Sequence, residues 1–415
     1  MVKKFILQLS GSYAPDNYVQ VLSPVHGAKD KCMFGTLNDT IHNQLIHNKN
    51  NITNYHKTRK WDRYKKLTNE YELVFTSTQG FPSIASYNPI SRSYFKLWEI
   101  LCDFRKEFKF SALPMKTIFL ADAPGGFGEA FINFRRKYRQ ATDDNEPDTL
   151  FGMSLRATNK IIPNWKFNEE YCKRNNLNLF YGRQGTGSLY DIENIEDLLL
   201  ASGTHSAHFI TADGGFDFSG DFNNQEEMSL RLILCEIYAA LLLQAEGGSF
   251  VLKIYDIHSS CTIKLLYALK CFYQNMFLIK PLSSRPANSE KYVVCTEYAA
   301  NHTLKHHRIL NILKSNIQYF RPNLVLKDLD VPCTFIFDIL HYNRVYITNQ
   351  SLHIIKTLAL IDEMSDNEEK EMIRQQVRKA LKWCYKYQID VSMTSLKQYK
   401  AYFPKAESTS TTGLT

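Results

Sequence analysis

The chain has 415 residues, 44% of them hydrophobic and 13% aromatic, which exceeds one average domain and is enough for a substantial core. Its 50 basic and 42 acidic residues leave a net charge of +8, a surplus that suits a polyanionic partner without requiring one. Nine cysteines, Cys32 through Cys384, contain no CxxC pair and no Cys/His zinc spacing, the opening MVKKFILQLSGSYAPD is too briefly apolar for a secretory signal, and no run of about 18 apolar residues offers a membrane span. The expectation is a soluble intracellular protein with reduced thiols, no metal and no membrane partner.

Residues 1–85 read as a basic, polar N-terminal extension rich in Asn, His and Lys. Within it, IHNKNNITNYHKTRKWDRYKKLTNE alternates aromatics with bases, which suits gripping a nucleic-acid backbone and a solvated helix face equally well. From 86 to 300 the apolar runs TIFLAD, TLFGMSL, LNLFY, AHFITAD, SFVLKIY, MFLIKP and KYVVC alternate with helical stretches. That alternation predicts an α/β domain with a mostly parallel sheet covered on both faces. Phe127 to Tyr138 begins a helix directly after TIFLAD, and Asn223 to Gly248 reads as one long helix with an acidic first turn and a glycine stop. Residues 301–403 carry apolar positions at helical spacing, predicting a helical C-terminal appendage; residues 404–415 form a small, polar tail expected to be disordered.

Four ionisable side chains fall where burial is costly: Lys96 in SRSYFKLWEI, Asp213 in HFITADGGFD, Lys253 in GGSFVLKIYD and Glu290 in SSRPANSEKYVVC. Such groups must be paired or have shifted pKa values, the condition for acid/base work on a weakly acidic hydroxyl, although structural ion pairs satisfy it too. ADAPGGFGEAF follows a strand and opens a helix, with Gly125 and Gly126 letting backbone and ligand approach closely; the absence of GxGxxG argues against a dinucleotide.

Taken in order, SRSYFKLWEI, ADAPGGFGEAF, TADGGFD, GGSFVLKIYD and KPLSSRPANSEKYVVC resemble the FtsJ-like (RrmJ-type) ribose 2′-O-methyltransferases, most closely the messenger-RNA cap branch of eukaryotes and large DNA viruses. The resemblance implies a Rossmann-like S-adenosylmethionine-dependent fold with a seven-stranded sheet, and Lys96, Asp213, Lys253 and Glu290 as catalytic residues. It places Asp122, Ala123, Pro124, Gly125, Gly126 and Phe127 around the methionine part of the donor and Asp213 beside the sulfonium. Where the cap enzymes carry an acid in a Gly-Asp-Ile stretch, this chain has Ser188 and Leu189, with Asp191 as the nearby substitute. It nominates Asn223, Gln225 and Glu226 for the pocket of the methylated guanine; helix capping by Asn223 and Asn224, with Glu226 complementing the dipole, is the competing reading. Arg285 suits a phosphate on the RNA path or a local acid equally, and Phe216, Phe218 and Phe222 suit base stacking or packing.

On the resemblance, Lys253 is the candidate base. Desolvation and Lys96 would lower its pKa from about 10.4, whereas Asp213 and Glu290 would raise it and orient the amine. The expected substrate is capped mRNA, methylated on a ribose next to the cap. DAPGGF resembles the branch that modifies the second nucleotide and SSRPANSEKYVVC the branch that modifies the first. The arginine-bearing stretch expected upstream of Lys96 has no evident counterpart in STQGFPSIASYNPISRSYF. Methylation of an internal ribosomal or transfer-RNA ribose and an inactive cap-binding scaffold are the alternatives; partners would include other capping or transcription proteins. The nucleus is the expected compartment for a cellular protein, the cytoplasm or virion for a viral one.

Overall fold

The computed structural model describes residues 7–8, 39–56, 59–78, 80–110, 113–139, 146–159, 162–218, 221–299, 304–322, 326 and 329–403. The expected tail at 404–415 and Cys32 lie outside them. The strands are β1 (Leu7–Gln8), β2 (Lys116–Leu120), β3 (Thr149–Met153), β4 (Leu177–Phe180), β5 (Ala207–Ala212), β6 (Gln244–Ile254), β7 (Tyr273–Ile279) and β8 (Lys291–Tyr298). The helices are α1 (Asp39–His56), α2 (Lys60–Leu67), α3 (Ser93–Asp103), α4 (Arg105–Phe108), α5 (Gly126–Tyr138), α6 (Glu169–Arg174), α7 (Ile192–Ser202), α8 (Gln225–Leu243), α9 (Ser260–Lys270), α10 (Leu304–Gln318), α11 (Cys333–Glu363), α12 (Asp366–Lys386) and α13 (Met393–Tyr399).

All seven apolar runs are strands of one sheet, ordered β1-β7-β8-β6-β5-β2-β3-β4. Strands β4, β3, β2, β5 and β6 run parallel, and β8 pairs antiparallel with both β6 and β7. The two-residue β1, within the N-terminal extension, adds an eighth strand antiparallel to β7, one more than expected. Nearly every residue of β2, β5 and β8 is buried, as strands covered on both faces require. Helix α8 is buried around most of its circumference, which explains its weakly amphipathic sequence.

One boundary differs from the sequence expectation. Helix α8 stops at Leu243 rather than at Gly248; Gly247 adopts φ 71° inside β6, where the β5–β6 register shifts between Ala207 and Phe209. The chain groups into two compact units, Met1–Asn51 with Pro89–Leu352 and Ile52–Asn88 with His353–Thr415. In the first unit α10 joins the sheet domain, with Ile309, Leu313 and Ile317 in the same apolar core as Leu198, Leu234 and Leu241. In the second unit, the buried Gln376 amide of α12 donates to the carbonyls of Lys66, Leu67 and Asn69 at 2.9, 2.8 and 2.9 Å, and Ser365 with Glu368 forms a capping box at the start of α12.

Strand order reverses beside β2: the chain runs β2, β3, β4 to one edge and then returns to β5 on the other side of β2. The crevice beyond the carboxyl ends of β2 and β5 is therefore where an open α/β sheet takes its ligand. Helix α3 closes against the start of α5 there. The Glu129 carboxylate accepts a 2.8 Å bond from the Ile90 N–H, and Gly126 is pressed against α3 so closely that a Cβ would lie 2.1 Å from Ser93 Oγ and 2.2 Å from Ser91 Oγ. Gly126→Ala is expected to cost about 1–3 kcal/mol by overpacking that contact; urea denaturation checks it, with recovery expected when Ser91 and Ser93 are both changed to Gly.

Candidate active site

The ends of β5, β6 and β8 lie side by side, so the local register decides which side chains meet. Ala212 pairs with Leu252, which puts Asp213 and Lys253 next to one another, and Lys253 pairs with Tyr292 across the β6–β8 ladder. Lys253 Nζ donates to the Asp213 backbone carbonyl at 2.7 Å and lies 3.1 Å from its Oδ1. Lys96, on α3, reaches Glu290 at 2.7 Å to Oε1 and 2.8 Å to Oε2. The two pairs are joined by Tyr292, whose hydroxyl lies 3.0 Å from Glu290 Oε1 and 3.4 Å from Asp213 Oδ1. Ser284 Oγ donates to Glu290 at 3.3 Å. The four residues singled out in the sequence thus belong to one continuous array.

Charge within the array decides protonation. Burial disfavours the Lys253 ammonium, but Asp213, Tyr255 and Glu290 outweigh it and hold the lysine above its ordinary range. The expected lowering by Lys96 does not occur, because Lys96 is engaged by Glu290. Glu290 is likewise disfavoured by burial, yet Lys96 and Lys253 hold its carboxyl well below the usual range. Behind the Gly214 turn, burial pushes the fully buried Glu236 up to about 8, and Glu236 Oε1 accepts the Gly214 N–H at 3.2 Å.

The glycine corner is held from inside. The buried Asp122 carboxylate accepts the N–H groups of Phe127 at 2.9 Å and Gly128 at 2.7 Å, and its pKa is raised by burial and by Asp213. Phe127 is buried with its ring 5.9 Å from that of Tyr292, while Ala123 and Pro124 are half-exposed. Gly125 has φ 116° and packs under the ring of Phe167. Ser188 Oγ accepts the Tyr190 N–H at 3.2 Å, and Asp191, the residue just before α7, lines a 450 Å³ cleft with Tyr190, Arg231 and Lys314.

The residues nominated for substrate are mostly engaged within the protein. Both Glu226 oxygens accept the His258 N–H at 3.0 Å and Oε1 accepts the Ser259 N–H at 2.9 Å, so this side chain caps the loop before α9 instead of facing a ligand. The Asn223 amide donates to Asn50 at 2.7 Å, and Gln225 accepts from Ser289 Oγ. Arg285 is half-buried in the turn between β7 and β8. Phe218 is buried and meets Tyr255 edge-on at 4.8 Å, whereas Phe216 is 41% exposed. Within the basic N-terminal stretch, Lys49 is neither solvated nor open to a polyanion: it is buried, 2.8 Å from Asp256 and 3.1 Å from the Phe222 carbonyl.

Sequence reasoning missed Tyr292, Glu236 and Glu99. Tyr292 stands two residues from Glu290 on the same strand face, a period-2 signal; Glu99 is one helical turn from Lys96. Glu236, in an apolar helix, carries no local signal beyond its own charge.

An open sheet of this order, with a ligand crevice at its reversal and an acid/base array beside it, defines a methyltransferase-type α/β domain. The chain belongs to the FtsJ-like methyltransferase family, whose family model matches residues 89–298. Among curated proteins it is 27% identical over 253 residues to cap-specific mRNA (nucleoside-2'-O-)-methyltransferase 2 of Mus musculus, covering 60% of this chain and 32% of that protein. It is 32% identical over 222 residues to the corresponding methyltransferase 1 of Mus musculus (49% and 25%) and 34% identical over 191 residues to that of Homo sapiens (43% and 21%). The chain therefore aligns with about a fifth to a third of the length of these relatives.

FtsJ-like methyltransferases use S-adenosylmethionine. The residues at the crevice suit such a cationic donor: the Asp213 carboxylate stands at the carboxyl end of β5, and Glu290, joined to it through Tyr292, is held ionised by the lysines. Among the described residues no cluster of His, Cys, Asp and Glu could hold a metal ion, and no helix is long and apolar enough to cross a membrane.

Because Glu290 is depressed in the fold, its contribution to stability is complete above its ordinary pKa of about 4.3 and is lost as pH falls from there toward the native value. Urea midpoints measured between pH 6 and pH 3 are expected to drop in the wild type and to drop less in Glu290→Gln. Equal slopes would show that the pair does not govern acid stability.

Proposed function

We propose that the chain transfers the methyl group of S-adenosylmethionine to the ribose 2′-hydroxyl of RNA, on a nucleotide next to the 5′ cap of mRNA. The observation that carries this reading is the single array Lys96–Glu290–Tyr292–Asp213–Lys253 beside the β2/β5 crevice. The named activity of the relatives at 27–34% identity supports the substrate class.

S-adenosylmethionine supplies, when bound, a methyl group already activated on a sulfonium. What remains for the protein is to align the ribose oxygen and accept its proton as the new bond forms. Lys253 is the acceptor and begins as an ammonium, held so by Asp213. With a cationic donor sharing the Asp213 carboxylate, the hold on Lys253 would weaken and its pKa would fall, so that its ammonium would release one proton to solvent and the free amine would then take the proton of the ribose hydroxyl. Lys96 and Glu290 hold the hydroxyl side of the array, and Tyr292 keeps the two acids apart at a fixed distance. Ala123 to Phe127 and Ser188 to Asp191 are the proposed donor-facing segments, and Arg285 the proposed phosphate contact. The capped 5′ end is the macromolecular partner; capping or transcription proteins and the compartment of cap synthesis, nuclear in a cellular setting and cytoplasmic in a viral one, follow from that reading.

Labelled methyl transfer to capped and uncapped transcripts of one sequence, followed by nuclease mapping, tests it. Label on a cap-proximal ribose of the capped transcript alone is expected; equal labelling of uncapped RNA at internal riboses would overturn the cap assignment. In single-turnover assays Lys253→Met should lose about 10²–10⁴-fold in rate. Its donor affinity should be unchanged or tighter, because Asp213 loses a competing cation. A rate within a few-fold of wild type would remove Lys253 from the mechanism.

A further inference from the structure

Helix α3 does more than present Lys96. Arg92, Lys96 and Glu99 lie at helical spacing on one face, and all three contact the turn that joins β7 to β8, residues 280–290. Glu99 is fully buried. Its carboxylate accepts from the turn: Oε1 takes the Leu282 N–H at 2.7 Å, and Oε2 takes the Ser283 N–H and Ser283 Oγ at 3.1 Å each. Arg92 Nη2 donates to the Ser283 carbonyl at 3.0 Å. At the far end of the turn, Lys280 Nζ donates to the carbonyls of Asn288 and Glu290 at 2.7 Å each, and Lys96 grips the Glu290 carboxylate. A buried carboxylate that spends both oxygens on three donors of one turn holds that turn only while its geometry is kept.

We propose that Glu99, assisted by Arg92, is a positioning residue that locks the 280–290 turn to α3 and thereby sets Glu290 against Lys96 and Tyr292. The inference rests on the methyl-transfer reading of this same array. Its physical content is that one rigid piece, helix plus turn, carries both partners of the Lys96–Glu290 pair, so neither can be displaced alone. Replacing the acceptor by an amide of equal size turns an N–H₂ toward N–H donors. The start of the turn must then move, and Glu290 with it.

Glu99→Gln tests this in the full chain, with calorimetry for the donor, thermal melting, single-turnover transfer to capped RNA, and ¹³C NMR titration of the Glu290 carboxyl. We expect the rate per donor-binding molecule to fall roughly tenfold to a hundredfold, donor affinity to stay within about twofold, and the Glu290 carboxyl to titrate higher than in wild type. A lower melting temperature with the rate per donor-binding molecule and the Glu290 titration unchanged would reduce Glu99 to a merely structural role and overturn the proposal. If Glu99→Gln does not fold, the double variant Arg92→Gln, Ser283→Ala, which removes the Arg92 bond to the Ser283 carbonyl and the Ser283 hydroxyl bond to Glu99, carries the test with the same expected directions, and an unaltered rate and titration overturns it. A wild type that binds donor but transfers nothing would overturn the methyl-transfer reading instead; the Glu290 titration then still decides the positioning role.

Discussion

Two amines and two carboxyl groups, brought together where the ends of β5, β6 and β8 meet helix α3 and bridged by one tyrosine hydroxyl, are the constraint on which this end of the domain depends. An opposite charge at about 4 Å is worth ~4 kcal/mol at an effective dielectric near 20, or about three pKa units. That magnitude explains why burial does not neutralise Lys253: its neighbours include Asp213 at 3.1 Å, and the acids win. The same balance keeps Glu290 ionised in spite of its burial. The array therefore rests in its charged form, and the proton release proposed for Lys253 requires a weaker hold by Asp213.

The scaffold supplies this array through topology rather than through loops. Parallel β5 and β6 bring Asp213 beside Lys253, and the antiparallel β8 returns Tyr292 to face Lys253 in register. Lys96 comes from a helix outside the sheet, and its placement depends on contacts made along one face of α3. The glycine corner is closed by Asp122 and by the α3–α5 approach at Gly126, so the elements on the two sides of the crevice are referred to the same helix.

Much of this is legible in the sequence. Seven strands show as apolar runs because parallel strands covered on both faces admit few polar residues. The catalytic candidates show because a lone charge in such a run is conspicuous. What is hidden has physical reasons. Gly247 and Gly248 read as a helix stop but serve a strand irregularity, since glycine permits both. Lys49 reads as a surface base in a basic stretch, yet it is spent on Asp256, more than 200 residues away, and no local pattern encodes such a pair. Glu226 reads as a possible ligand contact but caps the loop before α9, because carboxylates near helix starts find N–H donors within the fold as readily as outside it. The direction of the Lys253 shift turns on distances, which spacing along the chain does not contain.

The most direct measurement is the titration of the Lys253 side chain by ¹³Cε NMR in lysine-labelled protein, free, with S-adenosylmethionine and with the uncharged S-adenosylhomocysteine. Charge sharing at Asp213 predicts an ammonium that persists beyond the ordinary lysine value of about 10.4 in the free protein, falls when the sulfonium compound binds, and moves little with the uncharged one. A Lys253 that is already neutral near pH 7 without donor, or one that responds equally to both compounds, would contradict it.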